Sequence, residues 1–257
     1  MAVTVFTPSE RLAPFVRVFE VMETREEMTR VLIPEPSIVI GFRFRGASRL
    51  VEGGEARVVP DSVISGLRVG ARRMLTLASS GIILAKFRAG GAAFFFDTPM
   101  HLLFGETLSL DSLVPRAQVD RVASRIADAG DDARRVALLE SFLLSRLRPH
   151  AVPGAIQAAV RVLQKEPGEV RIAGLARDLG LSQDALEKGF RRAVGASPKR
   201  LASILRLKSA VSAYRPGMRL AQLAHEAGYY DQSHFNRELR AAVGEAPTRL
   251  LGSSDYC

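Results

Sequence analysis

Two stretches decide the fold. They are Ile172-Ala173-Gly174-Leu175-Ala176-Arg177-Asp178-Leu179-Gly180 and Leu220-Ala221-Gln222-Leu223-Ala224-His225-Glu226-Ala227-Gly228, and they align at an offset of 48. Apolar residues at 172, 175, 176 and 179, and again at 220, 223, 224 and 227, fall on one face of a short helix. Ala176 and Ala224, four residues before the glycine, leave room for a second helix to cross closely. Gly180 and Gly228 supply the left-handed backbone that ends a helix without a Cβ penalty. One extra residue then moves the offset to 49 and the match resumes. Ser182 pairs with Asp231, Leu186 with Phe235, Phe190 with Leu239, Val194-Gly195 with Val243-Gly244, Pro198 with Pro247, and Arg200-Leu201 with Arg249-Leu250. A repeat whose single insertion falls in a turn predicts a duplicated helical unit.

Each copy reads as helix, tight turn, helix. Ser182 and Asp231 are placed to cap the second helix by accepting its free amides. That helix buries Leu186, Phe190 and Val194 in the first copy and Phe235, Leu239 and Val243 in the second. Its opposite face carries Gln183, Asp184, Glu187, Lys188 and Arg191 in the first copy. In the second it carries Gln232, Ser233, Asn236, Arg237 and Arg240, with His234 toward the side. Such a helix fits a major groove, and Gln, Asn and Arg can fork onto adenine and guanine edges. The amphipathic segment Pro198–Arg215 and the Pro216-Gly217 break join the copies. A connector of this kind can hold two recognition helices roughly 34 Å apart, one turn of the duplex. Helices are expected at 172–179, 183–194, 198–214, 220–227 and 232–243.

Residues from about Pro153 to Leu251 resemble the DNA-binding domain of the AraC/XylS family of bacterial regulators. The closest stretch is Ala227-Gly228-Tyr229-Tyr230-Asp231-Gln232-Ser233-His234-Phe235, followed by Leu239, Gly244 and Pro247. Arg206-Leu207-Lys208-Ser209-Ala210 matches the family's connector pattern, and Leu186, Phe190, Gly195 and Pro198 match its first unit. The candidate base readers are Gln232, Ser233, His234, Asn236 and Arg237, with Gln183, Asp184, Glu187 and Lys188 in the first unit. Ser182, Arg191, Lys199, Arg200, Arg206, Asp231, Arg240 and Arg249 are candidates for phosphate contact or for holding the lobes together. The resemblance implies the structural role for Arg206. Two departures stand out. Gly189 replaces a larger apolar residue inside the first recognition helix, at about 1 kcal/mol in helix propensity. Asp184 and Glu187 put acids where bases are usually read, which repels phosphates, so base reading is expected mainly from the second unit.

Upstream, Pro149-His150-Ala151-Val152-Pro153-Gly154 breaks the helical pattern, and a boundary is expected there, dividing 1–150 from 151–257. The first ninety residues read as short strands. The runs are Val31–Ile33, Ile38–Phe44, Val58–Val59, Met74–Leu77 and Ile82–Phe87, separated by Pro34, Pro36, Gly46, Gly53-Gly54, Pro60-Asp61, Ser79-Ser80-Gly81 and Gly90-Gly91. Helices are expected over Phe94–Phe104 (interrupted near Pro99), Pro115–Ala129 and Asp131–Leu147. The expected fold class is α+β in two domains: a β barrel or sandwich with flanking helices, then an all-α tandem helix-turn-helix. Pro8, Leu12-Ala13-Pro14-Phe15-Val16, Val31-Leu32-Ile33-Pro34, Lys86-Phe87-Arg88-Ala89-Gly90-Gly91 and Leu108–Val114 more loosely resemble the sensor domain of one branch of the family. That resemblance implies a β domain whose helices dimerise.

Composition agrees with this reading. The net charge is +9, and residues 151–257 hold 16 Lys and Arg against 10 Asp and Glu, the sign that suits a polyanion. Cys257 is the only cysteine. The opening Met1–Phe6 lacks the basic and apolar regions of a leader, and no apolar run approaches a membrane span, so a cytoplasmic protein is expected. Enzyme chemistry is not expected. His101, His150, His225 and His234 form no ligand pair, the glycine pairs lack the spacing of a phosphate loop, and neither metal nor cofactor is expected. Phe94-Phe95-Phe96 reads as core rather than ligand pocket. Double-stranded DNA is the expected partner. A small-molecule effector, RNA polymerase and a second copy of the chain are further expected partners. The alternative is a ligand-independent DNA-binding or interaction protein whose β domain only dimerises.

Overall fold

A computed structural model describes residues 1–52, 54–166, 170–215 and 218–243. The expectations for Arg249, Gly244 and Pro247, and for the side chain of Val243, lie outside the described residues.

The first half forms two antiparallel sheets. Strands β1 (Ala2–Phe6), β2 (Val16–Thr24), β4 (Val39–Arg45), β7 (Ser62–Ser65), β9 (Ser80–Phe87) and β10 (Thr107–Ser109) make a six-stranded sheet in the order β1-β2-β9-β4-β7-β10. Strands β3 (Met28–Leu32), β5 (Ser48–Glu52), β6 (Glu55–Val58) and β8 (Arg72–Thr76) make a four-stranded sheet in the order β3-β8-β5-β6. The two open sheets form a sandwich, which resolves the barrel-or-sandwich alternative. The period of two in β9 sets the layers. Ile83, Ala85 and Phe87 turn into the main core, whereas Ile82, Leu84 and Lys86 turn into a cavity between the sheets.

On the core face, Phe19, Ile40, Phe42, Ile83 and Phe87 meet α1 (Arg116–Ala127) and α2 (Asp132–Arg146). The expected helix over Phe94–Phe104 is corrected to two 3₁₀ turns, Gly91–Phe94 and Met100–Leu103. Phe94, Phe95 and Phe96 are all buried. Three consecutive α-helical residues fan over about 200° and cannot all enter one core. Pro99 also has extended geometry (ψ 124°) and disfavours helix in the residue before it. The five strands β1, β2, β5, β7 and β10 went unread in the sequence.

The second half is helical: α3 (Gly154–Lys165), α4 (Ile172–Asp178), α5 (Gln183–Val194), α6 (Pro198–Ala213), α7 (Leu220–Glu226) and α8 (Gln232–Val243). The five helices from α4 to α8 agree with the expected spans to within a residue, and α3 has no expected span. No strand occurs from 172 to 243 among the described residues. The hydrophobic core runs across position 150 without a break, from Phe42 and Leu139 through Ile156 and Leu186 to Leu201. The first lobe (α4, α5) therefore shares its core with the β half. The second lobe has a core of its own, built from Leu207, Ala210, Leu223, Ala224, Tyr229, Phe235 and Leu239, against which Val31, Ile33 and Ala71 pack.

Candidate nucleic-acid interface

The duplication seen in the sequence is repeated in the hydrogen bonds. After α4, Leu181 N–H donates to the Ala176 carbonyl and Gly180 N–H to Arg177, at 2.9 Å each. After α7, Tyr229 N–H donates to Ala224 at 2.9 Å and Gly228 N–H to His225 at 3.0 Å. Both pairs satisfy the orphan carbonyls at a helix end through a left-handed glycine, with φ of 67° at Gly180 and 71° at Gly228. The second helices start alike. Ser182 Oγ accepts from Ala185 N–H at 3.1 Å, and Asp231 Oδ1 accepts from His234 N–H at 2.6 Å. The inserted residue is Tyr230, which stands 93% exposed in the turn.

Leu186 and Phe190 anchor α5, and Phe235 and Leu239 anchor α8, all fully buried. The opposite faces differ in charge. On α5, Lys188 pairs with Asp184 at 2.8 Å and Arg191 with Glu187 at 3.9 Å. The hydrogen bond and charge of Asp184 also raise the Lys188 pKa. The outward face of α5 thus pairs Lys188 and Arg191 with its own acids, and Gln183 is left exposed beside them. On α8, Gln232, Ser233, Arg237 and Arg240 are exposed. Neither Arg237 nor Arg240 has an acidic partner among the described residues. Asn236 is half-buried, with its Oδ1 unpartnered. His234 leans aside, its ring edge-on to Tyr229 at 5.4 Å and its Nε2 3.8 Å from Glu238. His234 therefore stands apart from the outward group.

Lys199 and Arg200 are exposed in the first turn of α6, which Ser197 caps by accepting from Arg200 N–H. The Arg200 guanidinium lies 5.4 Å from the Phe104 ring. Arg206 points inward. It meets Glu238 at 2.9 Å, both side chains less than a fifth exposed, and sits 4.5 Å over the Tyr229 ring. Ser203 Oγ donates to the other oxygen of Glu238. Of the two roles open to Arg206, the geometry gives it the one that joins connector to second recognition helix. Burial first, and Glu238 second, push the Tyr229 phenol up to about 12. The sequence reading missed Glu238, Ser203 and Tyr229 as a knot, because their partners lie 32 and 35 residues apart.

The space left by Gly189 has an occupant. A Cβ there would stand 2.8 Å from Ile156 Cδ1, so α3 crosses α5 where the larger residue is missing. A second polar link was also missed. Lys208 Nζ on α6 meets Glu35 at 3.0 Å, and Glu35 also meets Arg17 at 3.2 Å and Lys86 at 3.9 Å. Burial alone would raise the Glu35 pKa, but Lys86, Lys208 and Arg17 pull it down to about 2. Ala71 N–H donates to the carbonyl of Ala242 near the end of α8, a further tie between the β half and the second lobe.

Residues 175–253 match the family model described as a helix-turn-helix domain. The C-terminal unit is an AraC-type helix-turn-helix domain. Residues 4–109, ahead of this AraC-type domain, match a second model described as a domain of unknown function (DUF6597). A probable thc operon regulatory protein from Rhodococcus erythropolis is 25% identical over 151 residues, 57% of this chain. The match covers 43% of that protein, so the chain spans less than half the length of the curated relative. Among solved structures, ToxT from Vibrio cholerae O395 aligns over 91% of this chain and 96% of its own, with a TM-score of 0.48 and 12% identity. A probable AraC family transcriptional regulator from Rhodopseudomonas palustris aligns over 39% of this chain and 96% of its own, with a TM-score of 0.34 and 24% identity. Among the described residues, no helix is long and apolar enough to cross a membrane.

Proposed function

We propose that the protein is a sequence-specific regulator of transcription that reads double-stranded DNA through α8 and is controlled through residues 1–150. The observation that carries this is the charge contrast between the outward faces of two equivalent helices: Lys188 and Arg191 of α5 are held by its own acids, while Arg237 and Arg240 of α8 are exposed with no acidic partner among the described residues. In docking of this type the first two turns of the recognition helix lie deepest in the groove. Gln232, Ser233 and Arg237 stand there exposed, with Asn236 at their edge. Arg237 forks onto guanine O6 and N7, and Gln232 or Asn236 onto adenine. Gln183 and Lys188 read more weakly, one helical turn away, because Asp184 and Glu187 dilute the attraction. Lys199, Arg200, Arg191 and Arg240 supply phosphate contacts, with Ser182 and Asp231 fixing the helix starts. The division at 150/151, a second copy of the chain, RNA polymerase as partner and the cytoplasm as the place of action belong to the same reading.

Control by a small molecule is favoured over a β half that only dimerises, because the sandwich encloses a cavity lined by charged and apolar groups together. The deciding experiment selects the bound sequence from genomic fragments, then compares Arg237→Ala with the parent on that site and on random duplex. Preference should relax at one or two adjacent base pairs, at about 1–3 kcal/mol, with random DNA bound nearly as before. Equal loss on both DNAs would make Arg237 a phosphate contact and refute the assignment.

A further inference from the structure

The sandwich cavity contains a cation that no acid among the described residues pairs. The cavity measures about 190 Å³, and its walls are largely apolar, with Met22, Val39, Val63 and Leu84 on one sheet and Leu32 and Met74 on the other. Arg68, in the segment after β7, also lines it, and its Nε is buried without a hydrogen-bond partner. Among the described residues no carboxylate stands within ion-pair distance of Arg68. Burial first, and the like charge of Arg72 second, lower its pKa to about 10, while Glu35 pulls it back up.

The neighbouring cations are better satisfied. Lys86 has Glu20 at 2.7 Å. Arg43, with its side chain only 4% exposed, has Asp61 at 3.5 Å, and Asp61 itself stands largely in solvent. Glu35, the acid nearest to Arg68 in effect, is already shared among Arg17, Lys86 and Lys208. A buried charge without a counter-ion is costly, and an arriving anion removes that cost by forming charge-assisted hydrogen bonds with the guanidinium.

We propose that this cavity binds a small organic anion, its carboxylate held by Arg68 and its apolar body packed between the two sheets. The inference rests on the reading that a small molecule controls the regulator through residues 1–150. Size follows from volume: an apolar cavity of about 150 Å³ takes benzene, so this one suits a body of six or seven carbons plus the head group, about nine non-hydrogen atoms. A neutral ligand of the same shape fills the apolar part and leaves Arg68 unpaired, so it binds more weakly. Inorganic phosphate carries charge without an apolar body and gains nothing from the walls.

The test is calorimetric titration of the full chain with hexanoate and benzoate, their neutral counterparts hexan-1-ol and benzyl alcohol, and inorganic phosphate. One site should take at least one of the acids about tenfold or more tighter than its alcohol, with phosphate weaker than both. Arg68→Met should abolish the preference of acid over alcohol, while Val63→Phe, which fills the cavity, should lose both ligands. Should Arg68→Met fail to fold, the acid–alcohol comparison on the parent protein decides by itself. Equal binding of acid and alcohol, no saturable binding of either acid, or phosphate binding as tightly as the acids would overturn the proposal. So would an acid preference that survives in folded Arg68→Met. DNA binding by the same preparations, measured without ligand, separates the two readings: acid binding without specific DNA binding sinks the regulator, and the reverse sinks only the anion site.

Discussion

Replacing Arg206 by Met removes the guanidinium from Glu238 and keeps much of its packing volume. The pair is short, 2.9 Å, with the two side chains 17% and 18% exposed. Removing one member of a fully buried pair costs about 3–5 kcal/mol, because the other charge is stranded. Here Glu238 keeps the Ser203 hydroxyl and some access to water, which lowers the figure to about 2–3 kcal/mol. Losing the cation from the Tyr229 face, 4.5 Å away, adds about 0.5–1 kcal/mol. The expected total is about 3 kcal/mol. It should appear locally, since the second lobe has its own core. Hydrogen exchange of the α7 and α8 amides is therefore the assay, with protection falling on the order of a hundredfold. Glu238→Gln in the Arg206→Met background should recover part of the loss, because the stranded charge is gone. The salt dependence of DNA binding should keep its slope. Unchanged protection together with a slope reduced by about one would make Arg206 a phosphate contact and refute this account.

Lys199→Ala, by contrast, should weaken binding to specific and random DNA by the same factor and reduce the salt slope by about one; an unchanged slope would remove Lys199 from the backbone contacts. Gly189→Ala gains about 1 kcal/mol in helix propensity but drives a Cβ to 2.8 Å from Ile156 Cδ1, so denaturation should show a net loss of about 1 kcal/mol in the parent. In an Ile156→Val background, which deletes that methyl but keeps the branch carbon at 3.2 Å, the same change should cost less than in the parent, and a stabilising effect in the parent would argue against the close crossing. Lys86, Lys208 and Arg17 hold the Glu35 carboxyl down to about 2, against about 4.5 for an ordinary glutamate, so its contribution to stability is present above about pH 4.5 and is lost as the pH falls toward 2. The thermal stability gap between the parent and Glu35→Gln should thus be widest near neutrality and close on acidification, and a constant gap would count against the cluster.

The tandem unit was legible because its determinants are local. Helix faces, the capping Ser182 and Asp231, and the glycines at 180 and 228 all act within a few residues of where they stand. The β half was harder for the same reason inverted. Strand β2 shows no clean alternation because a bulge falls between Val16 and Val18, and β1 is almost wholly exposed on the edge of its sheet. The run Phe94-Phe95-Phe96 correctly read as core, but its helix did not form, since burying three successive rings needs a backbone that turns more sharply. Long-range polar partners left no local trace. Arg206 could be singled out from its connector position, yet Glu238, 32 residues on, looked like any acid on a surface helix. Gly189 looked like a defect until Ile156, 33 residues earlier, was seen to fill its place.

The two lobes are held differently, and that bears on which of them can be moved. The first packs α5 against the turns at Gly91–Phe94 and Met100–Leu103, inside a core that runs through the β half. Shifting it would expose Phe190, Val194 and Met100 together, and burying side chains of this kind is worth about 1.5–3 kcal/mol each. Among the described residues, the second lobe touches the β half through the partly buried Val31, Ile33 and Ala71, the Ala71–Ala242 hydrogen bond and the partly exposed Lys208–Glu35 pair. Partly exposed ion pairs contribute about 1 kcal/mol or less. Among the described residues, the weaker attachment therefore lies on the lobe whose recognition helix presents Arg237 and Arg240. Glu35 lines the same cavity as Arg68. An anion arriving beside Arg68 meets the field of Glu35, and Glu35 is the residue that reaches the connector.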